Sequence, residues 1–518
     1  MITAHNIPAL TSAENDLLAE MLGILNEKSW INIKRSNYVD AKQLTRHLGI
    51  AIPPHLESVE TVIGWPEKAV TALEQRIDLD GFVLPGATAV DYGIDRIWND
   101  NKLSVEATEA HTSALKYGVA FLAVMDGGLA QPVIRTLSPT NTTVVWDRNR
   151  RRAAAALNVV DDDRFILFLE DQIVTCSVRG SQWVADRVPH SLGRCPVAVL
   201  PYRPSTESPL GRSRVTQGVM SITDRAVRSL LRMEISAEFY SSPQRAILGA
   251  DESMFMDEDG KPIPKWTAVI SRYLAAPLME DDNGSFHMPQ VQQFAQMTMQ
   301  PHMDMVRSDA ALFAGETSIP VSALGIIHDN PASDAAMHTA YLDLNKSAER
   351  AHDSFGYGWV DAVQMAVQIR DGEIPDAVLR MSSRFRDPST PTKSAMADMV
   401  LKQITSGILD PTNVTELEVA MEQLGYDRTT IDRILDGRRR VQGRASLNML
   451  VNGVGAPSPA EEAAAMKTRF DALGVAIRAG VDPDNAASML GLDGVQFTGA
   501  IPASLRPLER DASGLEDA

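Results

Sequence analysis

Cysteine is almost missing: Cys176 and Cys195 are the only two in 518 residues. Two thiols build neither a disulfide framework nor a tetrahedral zinc site, so both are expected reduced, in a cytosolic setting. No run of 18 apolar residues occurs, which leaves no stretch expected to span a bilayer as a helix. The first residues, MITAHNIPAL, carry no basic region ahead of an apolar one, and secretion is not expected. Catalytic motifs are missing too. There is no GxxxxGKS/T or GxGxxG phosphate loop, no HExxH pair and no GxSxG elbow. His338 and His352 stand 14 positions apart on one helical pattern, too far to share a metal. Neither an enzyme, a cofactor nor a metal site is expected.

Positive charge is also short. The chain holds 49 Lys and Arg against 67 Asp and Glu, a net charge of −18. A protein that grips DNA by neutralising phosphates needs a basic face, and this chain has the wrong overall sign. It does not argue against a surface past which DNA must slide without sticking. Two basic runs stand out, RNRRR at 148–152 and GRRR at 437–440. Each reads first as a solvated hairpin tip or helix end, and second as a phosphate contact.

What is present is enough apolar material, 44%, for a sizeable core. The first 200 residues read as α+β. SAENDLLAEMLGILNE (12–27) is an amphipathic helix with Ser12 as its cap, and GWPEKAVTALEQRIDLDGF (64–82) a second. VEATEAHTSALKYG (105–118) is helical and VAFLAVMD (119–126) strand-like. Short strands then dominate to residue 202.

The composition changes at 211. Val215, Val219, Ile222, Ala226, Leu230 and Met233 fall at three- and four-residue steps, which predicts one long helix over 211–241 with Arg214, Arg225, Arg228 and Arg232 on its polar face. A second helix is expected over 291–314. Asp334 opens a third that runs to 371, with a bend near Gly356 and Gly358. Residues 376–386 read as a returning strand. Helices follow at 393–406, 413–424 and 428–437, and one more in the Gly- and Ala-rich tail. Five methionines (Met288, Met297, Met299, Met303 and Met305) read as core filler or an adaptable surface. Between the second and third long helices lies TSIPVSALGIIHDNPAS, 317–333, whose only titratable groups are His328 and Asp329. An apolar loop of that length is either buried or projects toward something it touches.

This order of parts resembles the portal protein of tailed bacteriophages, of the type found in siphophages of actinobacteria. PLGRSRVTQGVMSITDRAVRSLLRMEISAEFYSSPQRAILG is similar to the family's first stem helix and its exit. GETSIPVSALGIIHDNPASDAAMHTAYLDLNKSAERAHDSFGYGW is similar to its tunnel loop and the long helix beyond. SRFRDPSTPTKSAMADMVLKQITSGI is similar to its return segment and crown, and ALKYGVAFLAV with TLSPTNTTVVWD to its wing. The likeness covers roughly residues 15–440.

The resemblance implies an α+β ring subunit: wing 1–210, stem helix 211–241, clip 242–290, second stem helix 291–315, tunnel loop 316–334, long helix and return to the wing 335–390, helical crown and tail 391–518. It implies a ring of about twelve copies at one capsid vertex. Through it double-stranded DNA passes during packaging and ejection, without sequence-specific contacts. Implied partners are the terminase large subunit, then a head–tail connector, with the major capsid and scaffolding proteins. The implied location is the virion, and the host cytoplasm during assembly. By position, the loop residues that would meet DNA are Ser322, Ala323, Leu324, Gly325, Ile326, Ile327, His328, Asp329 and Asn330. The clip residues that would meet terminase and connector are Asp257, Glu258, Lys261, Lys265, Trp266 and Arg272. The alternative is another virion structural protein, scaffold-like or of the tail, without a DNA channel.

Overall fold

The computed structural model describes residues 7–43, 61–86, 89–180, 182–240, 245–248, 261, 279–280, 284, 286–287, 290–293, 297–326, 334–389, 393–426, 430–441, 459–492, 495 and 497. They form two compact units, Met1–Thr392 and Lys393–Ala518.

In the first unit, α1 (Ser12–Val39) is capped by Thr11, not Ser12, in a reciprocal capping box with Glu14. It runs twelve residues beyond the expected end at 27, because tertiary contacts hold its second half. The buried Asn32 donates to Pro139 O at 3.2 Å, and Arg35 donates to Tyr117 O at 3.1 Å. α2 (Trp65–Glu74) stops short of its expected end. Residues Leu79–Val83 form β1, which pairs antiparallel with a strand some 300 residues later. No local periodicity carries a pairing with so distant a partner.

α3 (Ile94–Asp100) and α4 (Leu103–Tyr117) lead through Gly118 into β2 (Val119–Asp126). Gly118 has φ +105°, and a Cβ there would lie 2.9 Å from Ser213 N, so both conformation and space demand glycine. β2 lies between β3 (Pro132–Leu137) and a later strand, β9 (Val197–Pro201), with its first six residues buried. The sheet between them is a five-stranded antiparallel meander: β4 (Thr142–Asp147), β5 (Arg152–Asp161), β6 (Arg164–Phe168), β7 (Gln172–Arg179) and β8 (Gln182–Pro189). β8 is an edge strand with little buried surface, so it lacked the apolar alternation that marked the others. Cys176 and Cys195 are buried and unpaired, and burial pushes both thiols up, to about 11 and about 12.

The middle of the chain makes the long helices. α5 (Gln217–Tyr240) begins six residues later than expected. β10 (Arg245–Leu248) pairs with β13 (Gln290–Gln293), and β11 (Met279–Glu280) with β12 (Phe286–His287). The second long helix, α6 (Gln300–Thr317), therefore starts at 300 rather than 291. Pro301, which lacks an N–H, falls in its first turn, where that donor is not needed. Met297, Met303 and Met305 are exposed, a surface rather than a core.

α7 (Asp334–Asp371) has the expected bounds; its 38 residues span about 57 Å. Gly356 and Gly358 answer to contact within it: a Cβ on Gly358 would meet Val199 O at 2.5 Å, and one on Gly356 would meet Ser383 Oγ. After it, Asp376–Leu379 is one helical turn, α8, started by Pro375, and only Ser382–Phe385 is strand, β14, the partner of β1. Asp80 on β1 pairs with Arg384 at 2.6 Å and with Arg386 at 3.2 Å.

The second unit is helical: α9 (Lys393–Thr405), α10 (Val414–Gln423), α11 (430–441), α12 (Pro459–Arg478) and α13 (Pro483–Met489). Its buried residues form small separate groups, such as Val400 with Leu409 and Ala420, and Leu473 with Ala486 and Ala487.

One core joins α2, α4, α7 and the sheet of β2 in the first unit. At its centre His111 is fully buried. Trp359 Nε1 donates to His111 Nε2 at 3.0 Å, so the ring's proton sits on Nδ1, which donates to Ile77 O at 3.2 Å. Phe355 stacks on the ring at 5.0 Å. Burial holds the imidazole neutral, with its pKa pushed down to about 3. The unfolded chain binds that proton below its ordinary pKa of 6.5, while the folded chain does not until about 3. Stability from this group is thus full above pH 6.5 and falls by about 1.4 kcal/mol per unit as pH drops toward 3. Denaturant midpoints measured from pH 7 to 4 should fall less steeply for His111→Gln than for wild type. Equal slopes would mean the buried imidazole does not carry this dependence.

Candidate functional site

Helices α5 and α6 pack side by side as an antiparallel hairpin. Thr216 Oγ1 donates to Glu316 at 2.9 Å at one level, and Arg225 Nε donates to the buried Asp309 at 2.5 Å at the next. Tyr38 on α1 donates to both carboxylate oxygens of Asp224, at 2.9 and 2.8 Å, fastening α5 to α1. Burial and that carboxylate push the Tyr38 phenol above its usual range.

The base of the hairpin is held by Arg214. The sequence placed it on a polar helix face; the structure puts it before α5 begins and buries it. Its Nε donates to Ala69 O on α2, one terminal nitrogen to Tyr202 Oη at 3.2 Å and the other to Thr317 O at 2.5 Å. None of these partners is a carboxylate. Thr317 is the last residue of α6, so its carbonyl belongs to the negative end of a helix dipole and has no acceptor role inside the helix. Burial lowers the Arg214 pKa, but a guanidinium stays charged.

From this clamp the apolar loop departs. Ser318 takes φ +57°, Ile319 is buried, and Val321–Leu324 form a 3₁₀ turn closed by Gly325 at φ +85°. Val321, Ala323, Leu324 and Ile326 are half-buried against the main core of their own subunit. Ser322 and Gly325 are exposed. Of the nine loop residues singled out in the sequence, then, five are placed, and three of them (Ala323, Leu324 and Ile326) turn inward. Ile327, His328, Asp329 and Asn330 lie outside the described residues. So do Asp257, Glu258, Lys265, Trp266 and Arg272; of the six residues singled out in 242–290, Lys261 is described, and it is exposed.

The α5–α6 hairpin, the loop after it and α7 all fall within residues 28–416, which match the model of the family described as "Phage portal protein, SPP1 Gp6-like". The chain belongs to the phage portal protein family. Two relatives carry the name "Portal protein". One, of Mycobacterium phage L5, is 29% identical over 480 residues, covering 88% of this chain and 96% of its own. The other, of Mycobacterium phage D29, is 29% identical over 427 residues, covering 79% and 85%. Among solved structures, a chain of the "Virion of native gene transfer agent (GTA) particle" aligns over 69% of this chain and 89% of its own, at 15% identity and a TM-score of 0.41. A chain of the "Neck of native GTA particle computed with C12 symmetry" covers the same shares at 12% identity and a TM-score of 0.41. Portal proteins are virion components, structural rather than enzymatic.

The Arg214 clamp was not legible in the sequence as such. The signal available was Gly211-Arg212-Ser213-Arg214, an arginine just before a helix and behind a glycine at φ +83°. Arg214→Met should cost about 2–4 kcal/mol, since it strands buried carbonyls and a hydroxyl. Arg214→Lys should recover little of that, because an ammonium lacks the fork that reaches three acceptors. Urea denaturation of the purified protein measures both. A loss below about 1 kcal/mol for Met would mean the clamp does not hold the base of the α5–α6 hairpin.

Proposed function

We propose that about twelve copies of this chain close into a ring at one capsid vertex, and that double-stranded DNA is packaged and ejected through its centre. The family match across stem, loop and long helix carries this reading. A heterologous contact that closes gives such a ring. The rival reading, a scaffold-like or tail component, has no comparable support.

Within the ring, residues 317–333 from every subunit converge on the axis. The described half supports a particular form of that loop. Its apolar side chains seat it on the subunit, while the atoms it offers outward at Ser322 and Gly325 are small and uncharged. Such a surface slides on DNA with little sequence dependence, and the chain's net charge of −18 opposes adhesion to phosphates. The clip at 242–290, inserted between α5 and α6, is the docking surface for the terminase large subunit and afterwards for a head–tail connector. Assembly takes place in the host cytoplasm, among the capsid and scaffolding proteins.

Ser322→Lys tests the loop. It would set about twelve ammonium groups around the duplex; at about 0.5 kcal/mol per exposed contact the ring would hold DNA by several kcal/mol. Packaged DNA length against time should fall many-fold for Lys, recover partly at high salt and stay near wild type for Ser322→Ala. Lys and Ala behaving alike in intact rings would remove this loop from the channel lining.

A further inference from the structure

The first unit contains a groove of about 1120 Å³ between the β4–β5 turn and the middle of α7. Its charge is opposite to that of the chain. Arg148, Arg150, Arg151, Arg152 and Arg194 line it, against one lining carboxylate, Asp361. The turn is rigidly presented. The Asp147 carboxylate accepts from the backbone N–H of Asn149 at 2.8 Å and of Arg150 at 3.0 Å, and Arg151 takes φ +51°. A register shift at Val145/Trp146 bends the hairpin just below the turn and brings Trp146 to the groove wall.

The arginines are largely uncommitted. Arg150 reaches Asp147 and Glu170 only at 3.9 and 3.8 Å. Arg148 and Arg151 have no ion pair among the described residues. Across the groove Arg194 is mostly buried and holds Asp361 at 2.9 Å, but its buried Nε has no hydrogen-bond partner among the described residues. Tyr357 is 78% exposed at the same wall. Five planar guanidinium groups in one cleft of an acidic protein outnumber the carboxylates beside them: Arg150 and Arg152 share Asp147, and Arg148 and Arg151 have no counter-charge among the described residues, a surplus that suits a polyanion. Guanidinium forks match phosphate oxygens in pairs. A single exposed aromatic is too few for a stacking ladder on single strands, so contact with a duplex backbone fits better.

We propose that this groove binds the phosphate backbone of double-stranded DNA outside the channel, so that each portal subunit has a second, sticky DNA contact beside a non-adhesive bore. The proposal rests on the ring reading, and its test separates the two. The probe is a relaxed, covalently closed DNA circle, which cannot thread a closed ring. Assembled rings of wild type and of Arg148→Gln/Arg151→Gln are mixed with it, and binding is followed by gel shift over a range of salt. Wild-type rings should retain the circle. The double variant should bind on the order of tenfold more weakly, with a slope of log K against log salt smaller by at least about two. Equal binding by the two, or none by wild-type rings, overturns the proposal and leaves the ring reading intact. If the variant instead fails to form rings by negative stain while staying folded, the arginines meet a neighbouring subunit's carboxylates, and the proposal is likewise overturned. Absence of rings in wild type would overturn the ring reading itself.

Discussion

A guanidinium buried without a carboxylate is costly unless other groups take over the work of water. Arg214 meets that demand with three oxygen acceptors from three separate parts of the chain: Ala69 on α2, Tyr202 after β9, and Thr317 at the end of α6. The arrangement ties α2, the segment after β9, the approach to α5 and the end of α6 to one side chain. The loop that follows Thr317 inherits its starting point from it. Without this fixed origin, the 3₁₀ turn at Val321–Leu324 would have no defined place against the core.

Beyond the clamp the α5–α6 hairpin holds by pairs graded in burial. Arg225 with Asp309 sits on a nearly closed carboxylate, and Thr216 with Glu316 on an exposed one. Below it the core closes around His111, Phe355 and Trp359, where α7 crosses α4. Gly358 lets β9 approach α7 without a side chain between them. The long helix is thus gripped at its middle, and the loop before it is seated at the clamp.

Much of this was readable from pattern. α7 and β2 fell at their expected bounds because their periodicities are long and unbroken. What was missed shares one cause: it depends on partners far along the chain. β1 is a strand only because β14 is beside it, and residues 290–293 are a strand only because of β10. Arg214 and His111 looked ordinary in sequence, since their meaning lies in the carbonyls and rings around them. The apolar loop showed the opposite limit. Its composition was distinctive, yet composition alone did not say that Val321, Leu324 and Ile326 rest against the core while Ser322 and Gly325 face out.

The chain is acidic overall, five arginines line one cleft, and the described half of the 317–333 loop exposes the uncharged Ser322 and Gly325. The proposed channel role puts that loop where the passage is narrowest. An electron cryo-microscopy map of the purified assembly tests this directly. The expected result is a closed ring whose tightest constriction is formed by residues 317–333, with α5 and α6 lining the passage beyond it. A constriction formed by other residues, or an assembly without a central passage, would contradict the account.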